Sequence, residues 1–315
     1  MTEPLQPAGQ ALFHDHPDIE LVTPEALTEE ALIEAVRDVQ GIAARSAKIT
    51  PNVIAAAPDL RAVSRHGVGY DNIAVDALSH RKIPLLLAIH ANAVSVAEHT
   101  MYFLLSLAKR GRLYDKAARE SNFAFRNAPV AIDIAEKTLT IIGFGRIGTR
   151  LAPRALAFDM RVNVYDPYVD DAVISAAGAT PVSDFRTVLG ETDFLTVHCP
   201  LNAETRGIVG AAELAQMRAN SFVINCARGG IVDETALIEA LDQRQIAGAG
   251  VDVYNVEPPP LDHPLLQLEN VFLSPHSAGV SVEAAQRMSR ETADNLIAAL
   301  EGDVRVAALA NPEIG

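Results

Sequence analysis

The stretch Thr138–Ala152, TLTIIGFGRIGTRLA, decides the fold. A run of apolar and β-branched residues leads into Gly143-x-Gly145-x-x-Gly148, and a helical stretch follows. A triple glycine alone recurs by chance. Here a strand precedes it, a helix follows it, and a second strand-like run, RVNVYD, ends in Asp166, 18 residues beyond Gly148. That context is the dinucleotide fingerprint of a βαβ unit. The glycines permit a tight turn and bring backbone N–H groups up to a pyrophosphate at a helix N-terminus. Asp166 is placed to accept hydrogen bonds from the adenine ribose hydroxyls. A carboxylate there repels a 2′-phosphate, which predicts NAD rather than NADP.

Outward from this unit, short apolar runs alternate with amphipathic stretches along the whole chain. After RVNVYD come FLTVHC, FVINCA, GAGVDVY and VFLSPH, each followed by a turn or helix signal. The first third repeats the pattern with GIAARS, RAVSRHG and IPLLLAI as strands, and PEALTEEALIEAV, PNVIAAAP and NIAVDALSHR as helices. Between the two series, SVAEHTMYFLLSLAKRGRLYDKAARES reads as one long helix. Alternation of this kind predicts α/β architecture: two doubly wound parallel-sheet domains, joined by helices, with a cleft between them.

The 315 residues carry a formal net charge of −14, which argues against nucleic acid or an anionic membrane as partner. No window approaches the length of a membrane span, and MTEPLQPAGQ has no signal-peptide pattern. Cys199 and Cys226 sit in apolar runs without metal spacing, so they read as packing residues of a cytoplasmic protein. His14 and His16 in FHDHPD have no further ligands in register. They read as a solvated segment, and no metal is expected. His99, inside the long helix, reads as a packing or interface residue.

The stretch Val223–Glu234, VINCARGGIVDE, raises a chemical question. An arginine at the mouth of a buried strand is costly to desolvate unless it meets an anion. Arg228 is one of three candidate site residues that fall at strand ends. Glu257 follows the strand in GVDVYNVEPP, and His276 follows the strand in VFLSPHSAG, 19 residues later. Ligands of doubly wound sheets sit at the carboxyl ends of strands. A histidine held by a carboxylate is poised for acid/base work, because the carboxylate stabilises the imidazolium. An arginine grips a carboxylate in two-point fashion. With a nicotinamide bound, these groups suit hydride transfer at C2 of a 2-hydroxy or 2-keto acid.

GFGRIG, VYDPY, VHCPL, NCARGG, GVDVYNVEPP and LSPHSAG, in this order, resemble the D-isomer-specific 2-hydroxyacid dehydrogenases. The resemblance implies a Rossmann NAD-binding domain over 97–284 and a smaller flavodoxin-like substrate domain over 1–96 plus 285–315. It implies Arg228 as carboxylate anchor, His276 as acid/base and Glu257 as its partner. For the cofactor it implies Arg146 and Ile147, Asp166, His198, Cys199, Thr205, Ala227, and Asp252 beside the nicotinamide carboxamide. It also implies a homodimer built on the long helix. Formate dehydrogenases of the family carry glutamine where this chain has Glu257, which argues against that branch.

In SRHGVGYDN the turn Gly67-Val68-Gly69 offers backbone N–H groups for a carboxylate. His66 either lines that turn or points into solvent. GIAARSAKI, SRHGVGYDN and the Arg126 region resemble the phosphoglycerate dehydrogenase branch. There Arg45, Arg65 and Arg126 fall where a second anionic group of the substrate is held. The chain departs from the family in AIHANAVSVAEH, where His90 and Ala91 precede Asn92, so the pocket edge differs. No regulatory domain is expected after Gly315. A dianionic D-2-hydroxy acid such as 3-phosphoglycerate is the leading substrate class. Glyoxylate or hydroxypyruvate reduction, and an NAD-sensing corepressor-like binding role, are the alternatives.

Overall fold

The computed structural model describes residues 1–127 and 129–314. Ala128, within the expected NAD-binding domain, and Gly315, the expected end of the substrate domain, lie outside the described residues. In chain order the elements begin with α1 (Pro7–His14), α2 (Glu29–Ala35), β1 (Gly41–Ala44), α3 (Pro51–Ala55), β2 (Ala62–Arg65), α4 (Val75–His80) and β3 (Leu85–Leu87). There follow α5 (Ala93–Ala108), α6 (Gly111–Arg119), β4 (Thr138–Ile142), α7 (Gly148–Leu156), β5 (Arg161–Tyr165), α8 (Asp171–Ala176), β6 (Thr180–Pro181) and β7 (Phe194–Val197). The chain continues through α9 (Ala211–Leu214), β8 (Phe222–Asn225), α10 (Glu234–Asp242), β9 (Gly248–Val251), β10 (Val271–Leu273) and α11 (Val282–Leu300).

These elements form two compact units, Met1–Asn92 with Val280–Gly315, and Ala93–Gly279. The resemblance implies limits at 96 and 284. The structural limits differ because α5 begins at Ala93 as one unbroken helix and α11 starts from its own N-cap, Ser281, whose side chain accepts from the Ala284 N–H.

In the first unit β1, β2 and β3 pair in parallel and in sequence order, so these three strands show no reversal of winding. Leu32, Ile42, Ile54, Val63 and Leu85 form the core on one face. Ala43, Ala62 and Leu86 pack on the other face with Phe13 of α1 and Leu296 of α11. Parallel strands covered on both faces read as continuous apolar runs, which is why these three are legible in the sequence. The FHDHPD segment is not simply solvated. Its Phe13 is a buried side chain, because α1 lies along α11. Gly9 allows this approach, since a Cβ there would stand 2.3 Å from the Ser289 carbonyl oxygen.

His66 follows β2 and turns inward rather than into solvent. Its Nε2 lies 2.9 Å from Ser289 Oγ, which also accepts the Gln6 N–H at 2.9 Å. Burial, with the Arg45 and Arg65 guanidiniums adding to it, pushes the His66 imidazole from 6.5 down to about 4. A folded value below the unfolded one means that the unfolded chain binds the proton first. The stability held by neutral His66 is therefore complete above pH 6.5 and lost as pH falls from 6.5 to about 4. That loss is of order 2–3 kcal/mol. Urea titrations across this window should show a flatter pH dependence for His66→Gln than for the parent. Parallel curves would remove His66 from the acid response.

The second unit holds a seven-stranded parallel sheet in the order β10-β9-β8-β7-β4-β5-β6. Strand order reverses between β4 and β7, the switch point at which dinucleotides bind. All five residues of β4 are buried, as expected of a strand covered on both faces. The long helix predicted from SVAEHTM onward is two helices. Arg110 takes the left-handed conformation (φ 51°) ahead of Gly111, which ends α5 and starts α6. Its guanidinium lies 5.5 Å from the centre of the Phe222 ring. That contact is with a residue far away in sequence, so the helical period alone does not reveal the break. Among the described residues no helix is long and apolar enough to cross a membrane.

Candidate active site

The loop between β4 and α7 is shaped by its glycines in two different ways. Gly143 (φ 99°) lies so close to the end of β7 that a Cβ would stand 2.8 Å from the His198 carbonyl. A Cβ on Gly148 would stand 2.3 Å from the Gly143 oxygen. Both are required by the protein's own backbone. Gly145 is different, because a Cβ there would meet nothing within 4 Å. The protein leaves space over the loop at the N-terminus of α7, where a pyrophosphate would be received. Arg146 and Ile147 span the remainder of this turn. Asp166, just past β5, accepts the Phe144 N–H at 2.7 Å through Oδ2 and the Tyr168 N–H at 2.9 Å through Oδ1. Its carboxylate is thereby fixed beside the glycine loop.

Across the switch point, His198 and Cys199 follow directly on β7. His198 Nε2 lies 3.1 Å from Thr196 Oγ1, and its buried Nδ1 has no hydrogen-bond partner among the described residues. Burial holds this imidazole down to about 3, so it is neutral. Thr205, in the following loop, donates to the Pro200 carbonyl at 2.5 Å and accepts the Asn202 N–H at 2.9 Å. The open space at Gly145, the fixed Asp166 and the orphaned ring nitrogen of His198 all fit a dinucleotide. Burial pushes the Cys199 thiol up to about 11 and raises Cys226 further, so both are neutral thiols.

Arg228, Glu257 and His276 follow the carboxyl ends of β8, β9 and β10, three neighbouring strands. The Arg228 loop is set by Asn225, a buried polar residue at the end of β8. Its side chain accepts the Ala227 N–H at 3.0 Å and donates to the Arg228 carbonyl at 2.9 Å. One guanidinium N–H of Arg228 donates to the Ala227 carbonyl at 2.7 Å. Gly229 packs against the next strand's loop, since a Cβ there would stand 2.0 Å from the Tyr254 oxygen. That close approach brings the arginine loop against the loop that carries Glu257.

Glu257 Oε1 accepts the Tyr254 N–H at 3.0 Å, and Oε2 lies 2.7 Å from His276 Nδ1. Both side chains are about half exposed or less, at 47% for His276 and 36% for Glu257. The pair is therefore open to a ligand. His276 adopts φ 51°, unusual for a residue with a Cβ. Asp252 holds it there. The Asp252 carbonyl accepts the His276 N–H at 2.8 Å, and its carboxylate accepts Ser277 N–H at 2.8 Å and Ala278 N–H at 2.9 Å. Asp252 also accepts the Ser274 hydroxyl and is 1% exposed. In this structure its carboxylate is a buried brace for the histidine turn.

The residues expected to hold the far end of a substrate are divided between the units. Arg45 and Arg65 follow or end neighbouring strands of the first unit, whose register pairs Ala44 with Arg65. Arg45 donates to the Pro4 carbonyl at 3.0 Å, and Arg65 donates to the His66 carbonyl. Among the described residues no hydrogen bond takes the N–H groups of Val68 or Gly69, which follow at the Gly67 turn (φ 127°). Asn92 closes the same unit. Arg126, by contrast, is exposed on the 3-10 turn Phe123–Asn127 of the second unit. Sequence reasoning missed Asn225 and Ser274 as site residues. A polar residue inside the run FVINCA was the available signal for the first.

Fold and site together define a Rossmann-type nicotinamide-dinucleotide unit that presents a carboxylate-paired histidine and an arginine on adjacent strand ends. The family model for the D-isomer specific 2-hydroxyacid dehydrogenase NAD-binding domain matches residues 101–278. The chain belongs to the D-isomer-specific 2-hydroxyacid dehydrogenase family, and its second unit is that family's NAD-binding domain. It is 36% identical over 305 residues to D-3-phosphoglycerate dehydrogenase of Methanocaldococcus jannaschii, covering 96% of this chain but 57% of that protein. It thus spans little more than half of the D-3-phosphoglycerate dehydrogenase that it matches. It is 35% identical over 309 residues to glyoxylate reductase of Korarchaeum cryptofilum, covering 96% of this chain and 93% of the relative. The structure of D-lactate dehydrogenase from Aquifex aeolicus, complexed with NAD and lactic acid, superimposes with a TM-score of 0.81. It shares 27% identity and covers 90% of this chain and 89% of that one.

Proposed function

We propose that this chain is an NAD-dependent oxidoreductase that interconverts a D-2-hydroxy acid and its 2-keto acid. The observation that carries this reading is the His276–Glu257 pair, 2.7 Å apart, in the NAD-binding unit. Bound NAD supplies a hydride acceptor at its nicotinamide ring. Glu257 engages Nδ1 of His276, which leaves Nε2 as the ring atom that takes the proton from the substrate's 2-hydroxyl. As that proton leaves oxygen, the hydride leaves C2, and the C–O single bond becomes a carbonyl. In the reverse direction His276 returns the proton to the carbonyl oxygen. Glu257 steadies the imidazolium that exists between the two events. Arg228 grips the substrate carboxylate and so orients C2.

A dianionic acid such as 3-phosphoglycerate is the leading substrate. The D-3-phosphoglycerate dehydrogenase relatives and the cations Arg45, Arg65 and Arg126 support it. We also assign the Val68 and Gly69 N–H groups and Asn92 to substrate binding. A glyoxylate reductase reading is favoured by one specific observation, the near-complete coverage of the Korarchaeum cryptofilum relative. Exposed Tyr102 and Leu113 on α5 and α6 support a homodimer, which we place in the cytoplasm.

The test is NADH oxidation with pyruvate, glyoxylate, hydroxypyruvate, 2-ketoglutarate and 3-phosphohydroxypyruvate, with NADPH in parallel. The dianionic reading expects turnover concentrated on the last two acids and weak use of NADPH. Preference for glyoxylate or hydroxypyruvate would favour the reductase reading. Tight NADH binding without turnover on any of them would point to a sensing role.

A further inference from the structure

We infer that His99 is a positioning residue for His276, acting as a neutral Nε2–H donor at the end of a part-buried chain through Ser274 and Asp252. The inference rests on the reading of His276 as the proton-transfer residue. It adds a residue that touches none of the reacting atoms.

The direction of the chain follows from a count of protons. An ionised carboxylate only accepts hydrogen bonds, so Ser274 must spend its single hydroxyl proton on Asp252. Ser274 Oγ, 3.0 Å from His99 Nε2, is then left to accept. His99 must carry its proton on Nε2. Burial lowers the pKa of this ring, while the Asp252 carboxylate works in the opposite sense. A neutral imidazole with Nε2–H satisfies both neighbours.

The far end of the chain is the histidine turn. Three successive N–H groups, of His276, Ser277 and Ala278, all donate to Asp252. They hold His276 at its left-handed φ of 51°. Such a conformation persists only where its surroundings over-determine it. The Asp252 carboxylate, which accepts from Ser277 and Ala278, has less freedom to swing away from these two amides when its hydroxyl donor is itself oriented. Ser274 is also tied to the glutamate side of the pair, because its carbonyl accepts the Tyr254 hydroxyl at 3.2 Å and the Tyr254 N–H donates to Glu257.

Packing fixes His99 as the origin of the chain. Its ring meets Phe103 edge-on at 4.5 Å and Tyr102 at 5.4 Å between centroids. Phe103 lies against β9, the strand that delivers Asp252. Gly250 makes room for it, since a Cβ there would stand 2.7 Å from the Phe103 ring. The helix α5 therefore docks closely enough on β9 for His99 to reach Ser274.

The first measurement needs no variant. Long-range proton–nitrogen correlation spectra of the intact cofactor-free protein report which ring nitrogen of His99 bears the proton. Nε2–H is expected, and Nδ1–H alone would overturn the inference. The second measurement compares His99→Leu, His99→Gln and Ser274→Ala. Glutamine can present an amide N–H near the place of Nε2, whereas leucine keeps bulk and loses the donor. Amide exchange at Ser277 and Ala278 should speed up about tenfold in the Leu and Ala variants and return towards the parent in Gln. A small misplacement of a reacting group costs up to about 100-fold in rate. With the best keto acid, kcat is expected to fall about tenfold in the Leu variant at an unchanged KM for NADH, and to recover in Gln. Unchanged exchange and kcat in both donor-free variants would overturn the inference. The tautomer and exchange readouts do not depend on turnover. If they hold while His276→Ala keeps normal turnover, it is the role of His276 that fails, not the chain from His99.

Discussion

In a His276→Ala variant, kcat falls by about 10²–10⁴-fold while NADH binding stays within about twofold of the parent. The asymmetry follows from the construction of the site. The glycine loop, Asp166 and the end of β7 lie on β4, β5 and β7, whereas His276 follows β10 at the edge of the sheet. Removing the imidazole takes away the proton acceptor and leaves Glu257 with its bond from the Tyr254 N–H at 3.0 Å. The turn itself should survive, because the backbone N–H of residue 276 still donates to Asp252. Steady-state turnover, paired with a titration of NADH fluorescence, separates the two quantities. Near-normal turnover in the variant would refute the assignment. Loss of both turnover and NADH binding would mean that the substitution had disturbed the unit as a whole.

Arg228→Ala is expected to act mainly on KM for the keto acid. A hydrogen bond to a charged group contributes about 1.5–3 kcal/mol, so losing a two-point grip raises KM by at least about 10–100-fold. A further fall in kcat is expected to the extent that the grip also orients C2. Arg228→Lys restores the charge but not the planar fork, and should recover only part of the loss. The loop should tolerate the change. Asn225 holds the backbone on either side of the arginine, and Gly229 supplies the contact with the Tyr254 carbonyl, so neither depends on the guanidinium. Initial rates across a wide range of keto acid, at saturating NADH, decide the matter. An unchanged KM would remove Arg228 from substrate binding.

Much of this molecule is legible from local chemistry. The strand, glycine turn and helix around Gly143, Gly145 and Gly148 form a contiguous signal, because the backbone needs small residues where it turns tightly. Buried parallel strands read as apolar runs, which is why β1 to β3, β4, β5 and β7 to β10 stand out, whereas the two-residue edge strand β6, not buried, does not. Arg228, Glu257 and His276 stand out because all three follow the carboxyl ends of strands, where doubly wound sheets bind their ligands.

The rest depends on contacts between residues far apart in sequence. The helical period runs straight through Arg110, where the left-handed φ of 51° breaks the helix and the guanidinium lies over the ring of the distant Phe222. FHDHPD looks solvated until α1 is laid along α11 and Phe13 is buried. The sequence places Asp252 near the reacting centre, but the tertiary structure makes it the acceptor of three successive amides and a hydroxyl. His99 reads as a packing residue in a helix, and its bond to Ser274 spans 175 positions. By itself the sequence determined the cofactor fold and the three residues of the proposed chemistry, because those are set by the local rules of strands, turns and charge. Only the tertiary structure decided how the histidine is held at its strained φ, because hydrogen-bond geometry depends on where distant segments meet.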